Sequence, residues 1–181
     1  MFIRTDNLLL RPGWVDDAPA LAAAIGREDV VLTPARALWP YALDDAVAYL
    51  GRERSAHEVD LLIFLREGLA PRLIGGIGVA DRAKEQEGSD AELGYWIVPS
   101  HWGRGFATEA GHAVVAAARD SLRIDQLVSG HFIDNPASGR VLRKLGFAAT
   151  GSVELRECRA QRRDRPCVTY ALDLNAMALA A

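Results

Sequence analysis

The sequence predicts an α+β domain: a mostly antiparallel central sheet of about six to seven strands, flanked by about four helices. Three observations lead there. Short apolar runs of strand length recur through the 181 residues and outnumber the helical patterns between them. One pair of successive strands, near 91–98 and 126–133, is joined by a glycine loop and a long helical pattern, the form of a parallel crossover. Half of the residues are hydrophobic and a quarter charged, enough for one substantial core and ordinary for a globular domain.

Each element has its own signal. Leu8 to Arg11 reads as a first strand, closed by Pro12-Gly13. Asp16-Asp17 open a helix with Pro19 in its first turn and Ala20, Leu21, Ala24 and Ile25 on one face. Residues 27 to 42, with Pro34, Trp39, Pro40 and Tyr41, read as irregular. Asp44-Asp45 start a second helix to about residue 56, with Val47, Leu50 and Arg54 along one side. Residues 60 to 66 and 72 to 80 form a hairpin around Glu67-Gly68, and 81 to 90 is polar and turn-like. A strand over 91 to 98 stops at Pro99. A helix over 105 to 121 carries Ala107, Ala110, Val114 and Ala118 at helical spacing. A strand at 126 to 133, a helix at 135 to 145 with Gly146-Phe147 as its C-cap and core aromatic, and strands near 148 to 157 and 165 to 174 follow.

The most informative stretch is His101-Trp102-Gly103-Arg104-Gly105-Phe106-Ala107-Thr108. Strand, glycine loop, helix is the arrangement that points unpaired backbone N–H groups at an anion. Gly103 and Gly105 allow close approach, and the helix N-terminus adds roughly half a positive charge. A phosphorylated ligand is expected there. The nucleoside-triphosphate loop requires Lys-Ser/Thr after its last glycine, and Phe106-Ala107 stand there instead. The dinucleotide fingerprint requires a third glycine where Thr108 stands, and it sits early in a βαβ unit.

Three blocks narrow the ligand: Leu8-Leu9-Leu10-Arg11-Pro12; Gly94-Tyr95-Trp96-Ile97 through Ala107-Thr108-Glu109-Ala110; and Asn135-Pro136-Ala137-Ser138 followed by Val141 to Phe147. Together they resemble the GNAT superfamily of acetyl-coenzyme A-dependent N-acetyltransferases, and within it the ribosomal-protein N-terminal acetyltransferase (Rim-type) branch. The resemblance implies the GNAT fold, splayed between strands four and five, with acetyl-CoA as cosubstrate and no metal. It implies that the backbone N–H groups of Gly103, Arg104, Gly105, Phe106, Ala107 and Thr108 cradle the pyrophosphate. The pantetheine arm would lie along Trp96, Ile97 and Val98, with the Val98 N–H as oxyanion donor and Asn135 bonding the arm from the other side. Ser138 matches the serine proposed to protonate the leaving thiolate. Trp102 departs from the Gln or Arg frequent in the superfamily, and Arg104 is either a phosphate contact or a solvated loop charge.

The base has three candidates. Glu157 lies nineteen residues after Ser138, a spacing similar to that of the glutamate proposed in the Rim-type branch. Glu92 is the other family-like carboxylate and by alternation shares a face with Gly94, Trp96 and Val98. His131, near the end of its strand, is the third, with a structural role as the alternative. A lysine amine with pKa about 10.4 costs roughly 4.6 kcal/mol to neutralise at pH 7, an α-amine near 7.8 only about 1. An N-terminal acceptor therefore asks less of the base.

The expected function is acetyl transfer to a primary amine, either a protein N-terminus or a small amine such as an amino acid, polyamine or aminoglycoside. A non-catalytic acyl-CoA-binding module is the alternative from another class. The remaining expectations are one domain over residues 1 to 181, a cytoplasmic location, no membrane span and no signal peptide. The net charge of −3 gives no reason to expect nucleic-acid binding, and a homodimer is left open. Cys158 and Cys167 lack metal-ligand spacing. Glu109 is expected to serve the helix dipole, and Arg159, Arg162, Arg163 and Arg165 to form a solvated hairpin turn.

Overall fold

The computed structural model describes residues 1–26, 30, 39–54, 58–68, 70–81, 91–122 and 124–178. All of the predicted polar turn over 81–90 but its first residue, which ends a strand, together with His57 and most of the irregular stretch 27–42, lies outside them. Eight strands form one sheet: β1 (Ile3–Arg4), β2 (Leu8–Arg11), β3 (Val59–Leu65), β4 (Arg72–Asp81), β5 (Ala91–Ile97), β6 (Gln126–Phe132), β7 (Ala148–Cys158) and β8 (Arg163–Asp173). Their spatial order is β1-β2-β3-β4-β5-β6-β8-β7, and among the described residues β5–β6 is the one parallel pair. The helices are α1 (Ala18–Ile25), α2 (Leu43–Gly51), α3 (Phe106–Asp120), α4 (Pro136–Lys144) and α5 (Leu174–Ala178). Among the described residues none is long and apolar enough to cross a membrane.

The sheet is covered on both faces, which is why β3 reads as an almost unbroken apolar run. Leu61, Ile63 and Leu65 join a core with Phe106, Ala110 and Val114 of α3 and Leu142 of α4. Leu62 and Phe64 point the other way, into a second core with Ala18 and Leu21 of α1 and Ala46 and Leu50 of α2. At the first strand the Arg11 guanidinium lies 4.1 Å from the Trp14 ring centroid and 4.2 Å from that of Phe64, and pairs with Asp17 at 2.8 Å. The Leu-Arg-Pro segment is thereby an anchor for the start of α1.

Several boundaries differ from expectation. β1 adds a strand because two residues suffice to pair Ile3 with Leu10. α2 ends at Gly51, with Arg52 extended at ψ 147°, because Arg52 and Arg54 both turn to Asp60 of β3. Arg165 corrects the solvated-turn reading of the basic run. It is 8% exposed, lies over the Phe132 ring and pairs with Asp134.

Candidate active site

The parallel pairing of β5 with β6 is confined to Ala91↔Leu127 and Glu92↔Val128. Beyond Glu92 the strands part, while β5 stays paired to β4 through Ile97. The apex is closed by the Ser129 hydroxyl, which donates to the Leu93 carbonyl at 2.8 Å. Further along, the Tyr95 hydroxyl crosses to α4 and donates to the Ser138 carbonyl at 2.9 Å. Burial raises the Tyr95 phenol far above its usual range, so it remains a donor.

Backbone direction in this gap corrects two sequence-based assignments, those of Val98 and Trp96. The Val98 N–H donates to the Ile74 carbonyl at 2.8 Å, so it points into the sheet and is not an oxyanion donor. Antiparallel pairing alternates, so the backbone groups of Trp96, two residues back, also face β4. The groups turned to the gap are those of Tyr95 and Ile97. The Ile97 carbonyl is bonded by the Trp102 indole N–H at 2.5 Å, which ties the glycine loop to the strand end. The register with β4 turns Trp96 and Val98 away from the gap and Ile97 toward it, and nothing in the residues themselves sets that parity.

The loop after β5 is an N–H cradle. Gly103 and Gly105 stand at φ +73° and +84°, and a Cβ on either would meet nothing within 4 Å. They serve the left-handed turn, and the space above them is open. Gly105 is the N-cap of α3, and Glu109 N–H is the first to bond back to its carbonyl. The N–H groups of Gly105, Phe106, Ala107 and Thr108 are therefore left without intrahelical partners. Arg104 pairs with Glu67 at 2.9 Å, both well exposed, and lies over the Phe106 ring.

His101, absent from the sequence-based site, supports this loop from below. Its Nε2 lies 2.8 Å from Arg72 Nη2 and its Nδ1 2.9 Å from Ser100 Oγ. A guanidinium only donates, so Nε2 accepts and the ring is neutral with its hydrogen on Nδ1. Burial, and then the charges of Arg72 and Arg104, hold its pKa below the ordinary value, against an opposing contribution from Glu67.

On the other wall, Asn135 is the N-cap of α4. Its Oδ1 accepts from the Ser138 N–H at 3.4 Å, and its Nδ2 donates to Ser138 Oγ at 3.1 Å. The Ser138 oxygen is thus an acceptor toward Asn135, and its own hydrogen is directed elsewhere.

The base candidates separate onto the two faces of the sheet. His131 lies beneath α4: a Cβ on Gly139 would come within 2.4 Å of its Nε2. Its Nδ1 faces the Phe132 carbonyl at 2.8 Å and its Nε2 the Tyr170 hydroxyl at 3.4 Å. These contacts account for it as a packing residue. Glu92 points to the α1/α2 face, where Arg156 reaches from β7 to bond it. That reach crosses Gly130 of β6, where a Cβ would lie 3.5 Å from Arg156 Nη1. Beside Glu92, Gly94 is exposed in a central strand with nothing within 4 Å of an added Cβ. Glu157 faces the opposite side, 66% exposed and 4.0 Å from Arg159. Arg156 and Tyr95, like His101, are not singled out by the sequence, because each acts on a segment distant in the chain.

Two strands that part, an open glycine cradle at a helix N-terminus and a capped serine across the gap define a coenzyme A-dependent acyltransferase site. Residues 7–148 match the acetyltransferase (GNAT) domain model, so the chain belongs to the GNAT acetyltransferase family and is an acetyl-CoA-dependent acyltransferase. It is 31% identical over 153 residues to the uncharacterized N-acetyltransferase YoaA of Bacillus subtilis, covering 82% of this chain and 84% of that one. It is 33% identical over 67 residues to the ribosomal-protein-serine acetyltransferase of Escherichia coli, 37% of each chain. Among solved structures it resembles RimL, a ribosomal L7/L12 α-N-protein acetyltransferase in complex with coenzyme A. The TM-score there is 0.79 at 18% identity, over 97% of this chain and 99% of that one.

Proposed function

We propose that this enzyme acetylates the N-terminal α-amine of a polypeptide. The observation that carries the reading is exposed Gly94 on the α1/α2 face, beside Glu92 and level with the parted strands, where none of the described residues comes within 4 Å of an added Cβ. A chain end can lie across such a surface, whereas a small polyamine is better held in an enclosed acidic pocket. The carboxylate available there also suits an α-amine, which asks little of a base. Glu92 stands on that face, held in place by Arg156, whereas Glu157 stands mostly in water on the opposite face.

Acetyl-CoA, when bound, supplies the acetyl group on an activated thioester. The N–H groups of Gly105 to Thr108 would hold its pyrophosphate, and the Tyr95 and Ile97 backbones would align its pantetheine arm. Glu92, on the acceptor face, would take the proton from the attacking amine as the new C–N bond forms and the C–S bond breaks. Ser138, whose hydrogen is not used by Asn135, donates to the departing sulfur.

Thiol release against N-terminal peptides, polyamines, amino acids and aminoglycosides tests the reading. Turnover with α-amine peptides and not with side-chain amines is expected. Turnover confined to a small amine would overturn it.

A further inference from the structure

One buried ring stands behind the glycine cradle. His101 ends the single turn Pro99–His101 that joins β5 to the loop, and it is 6% exposed. Its ring packs against that of Phe106, with centroids 6.2 Å apart and planes tilted by 36°. Phe106 is the first residue of α3, and its N–H is one of those left unpaired at the helix start. From the sheet, Arg72, the first residue of β4, donates to the ring Nε2 at 2.8 Å. Two other side-chain ties hold the loop: the Trp102 indole on the Ile97 carbonyl, and the pair of Arg104 with Glu67. The first lies ahead of Gly103, and the second is exposed and therefore weak. Among the described residues, the His101 ring is the buried link from β4 to the start of α3.

The charges around the ring decide which protonation state keeps that link. Arg72 from β4 and Arg104 from the loop face it with positive charge, and Glu67, just after β3, with negative. Ala20, Ala23 and Ala24 of α1 line a cavity against Arg72, Ser100 and His101, and α3 brings Phe106; neither helix sets a titrating group there. A proton on Nε2 would set N–H against N–H across 2.8 Å, with a second cation beside Arg72. The Arg72 bond and the imidazolium therefore exclude each other. The cavity gives the proton a route to the ring.

We infer that His101 is a positioning residue for coenzyme A: neutral, it takes the Arg72 hydrogen bond and fixes Phe106 at the cradle, and protonated, it drops that bond and loosens the cradle. The ring's pKa lies below the ordinary 6.5, so the bond is whole at neutral pH. It is lost as pH falls through the folded value, and coenzyme A affinity falls with it. The inference rests on the cradle as the pyrophosphate site and not on the identity of the acceptor amine.

Calorimetric titration of the full chain with coenzyme A, from neutral pH down to about pH 5, tests this. His101→Gln keeps an acceptor for Arg72 and cannot titrate, so it should bind as wild type does at neutral pH. On acidification wild type should weaken relative to it, toward a limit of about tenfold per pH unit for one proton. The ligand's own titration is common to both proteins and cancels in the ratio. At neutral pH His101→Leu and Arg72→Leu should each weaken binding by about tenfold or more, the scale of a lost hydrogen bond to a charged group. The double variant should lose no more than either, since both remove one bond. Full affinity in His101→Leu, additive losses in the double variant, or wild-type and His101→Gln curves that stay parallel would each overturn the proposal. Amide exchange separates the two levels. Protection of Gly105 to Thr108 by coenzyme A, together with any of those results, would sink the role of His101 alone. No protection there would take down the cradle and this inference with it.

Discussion

Replacing Gly130 by alanine tests whether Arg156 reaches Glu92 through a lane left by a missing side chain. The new Cβ would stand 2.7 Å from Cys167 Sγ, 3.0 Å from the Val168 carbonyl oxygen and 3.5 Å from Arg156 Nη1. The sulfur can turn a little. The carbonyl belongs to β8 and cannot move without loosening the β6–β8 pairing through His131↔Val168. Overpacking of this kind costs about 1–3 kcal/mol. For a chain of this size that is a fall of roughly 2–12 °C in Tm. Gly94→Ala is the matched control, with nothing within 4 Å of its Cβ, and should leave Tm level or raise it slightly. Thermal and urea unfolding read both, and Cys167→Ala in the Gly130→Ala background should recover part of the loss. A Gly130→Ala protein as stable as wild type would refute the packing argument, and with it the reason given for a glycine in the middle of β6.

Glu109 yields a pH prediction. Burial opposes its ionisation, but hydrogen bonds from the Thr5 hydroxyl and from the backbone and side chain of Asn7 outweigh it, so its carboxyl lies below the usual value of 4.5. A depressed folded pKa gives stability that is full above about 4.5 and lost as pH falls through the folded value. Glu109→Gln should be less stable than wild type at neutral pH and should lose less Tm on acidification; parallel curves would contradict this. Ser138→Ala should keep coenzyme A affinity by calorimetry while lowering kcat by about 10²-fold or more, the scale of a lost general acid. Gly105→Ala meets no steric obstacle, but its φ of +84° costs a side chain about 1–2 kcal/mol. That loss should appear in Tm, in coenzyme A affinity or divided between them, and its absence from both would remove the left-handed cap from the account.

Much of this was legible in the sequence because the signals are local. Proline and glycine mark the ends of β2, β5 and α4, and Gly103 and Gly105 announce the loop at the start of α3. The parting of β5 from β6 came from the family resemblance, and the pairing of only Ala91 and Glu92 across it bears that out. What stayed hidden depends on contacts between distant segments. The parity of β5, which turns Val98 into the sheet and Ile97 to the gap, is set by the register with Ile74. Glu109 looked like a helix-dipole residue, yet its carboxylate holds the β1–β2 turn from 102 and 104 residues away. Arg165 sits in a basic run of solvated appearance and is buried because β8 lies between β6 and β7.

The central claim is that the donor binds between the parted strands with its pyrophosphate on the α3 cradle. Residue-resolved amide hydrogen exchange with and without coenzyme A tests it most directly. Slowed exchange at Tyr95, Ile97 and Gly105 to Thr108, with Trp96 and Val98 already protected in the free protein, is the predicted result. Unchanged exchange at those six amides while coenzyme A binds would place the donor elsewhere on the fold and contradict the account.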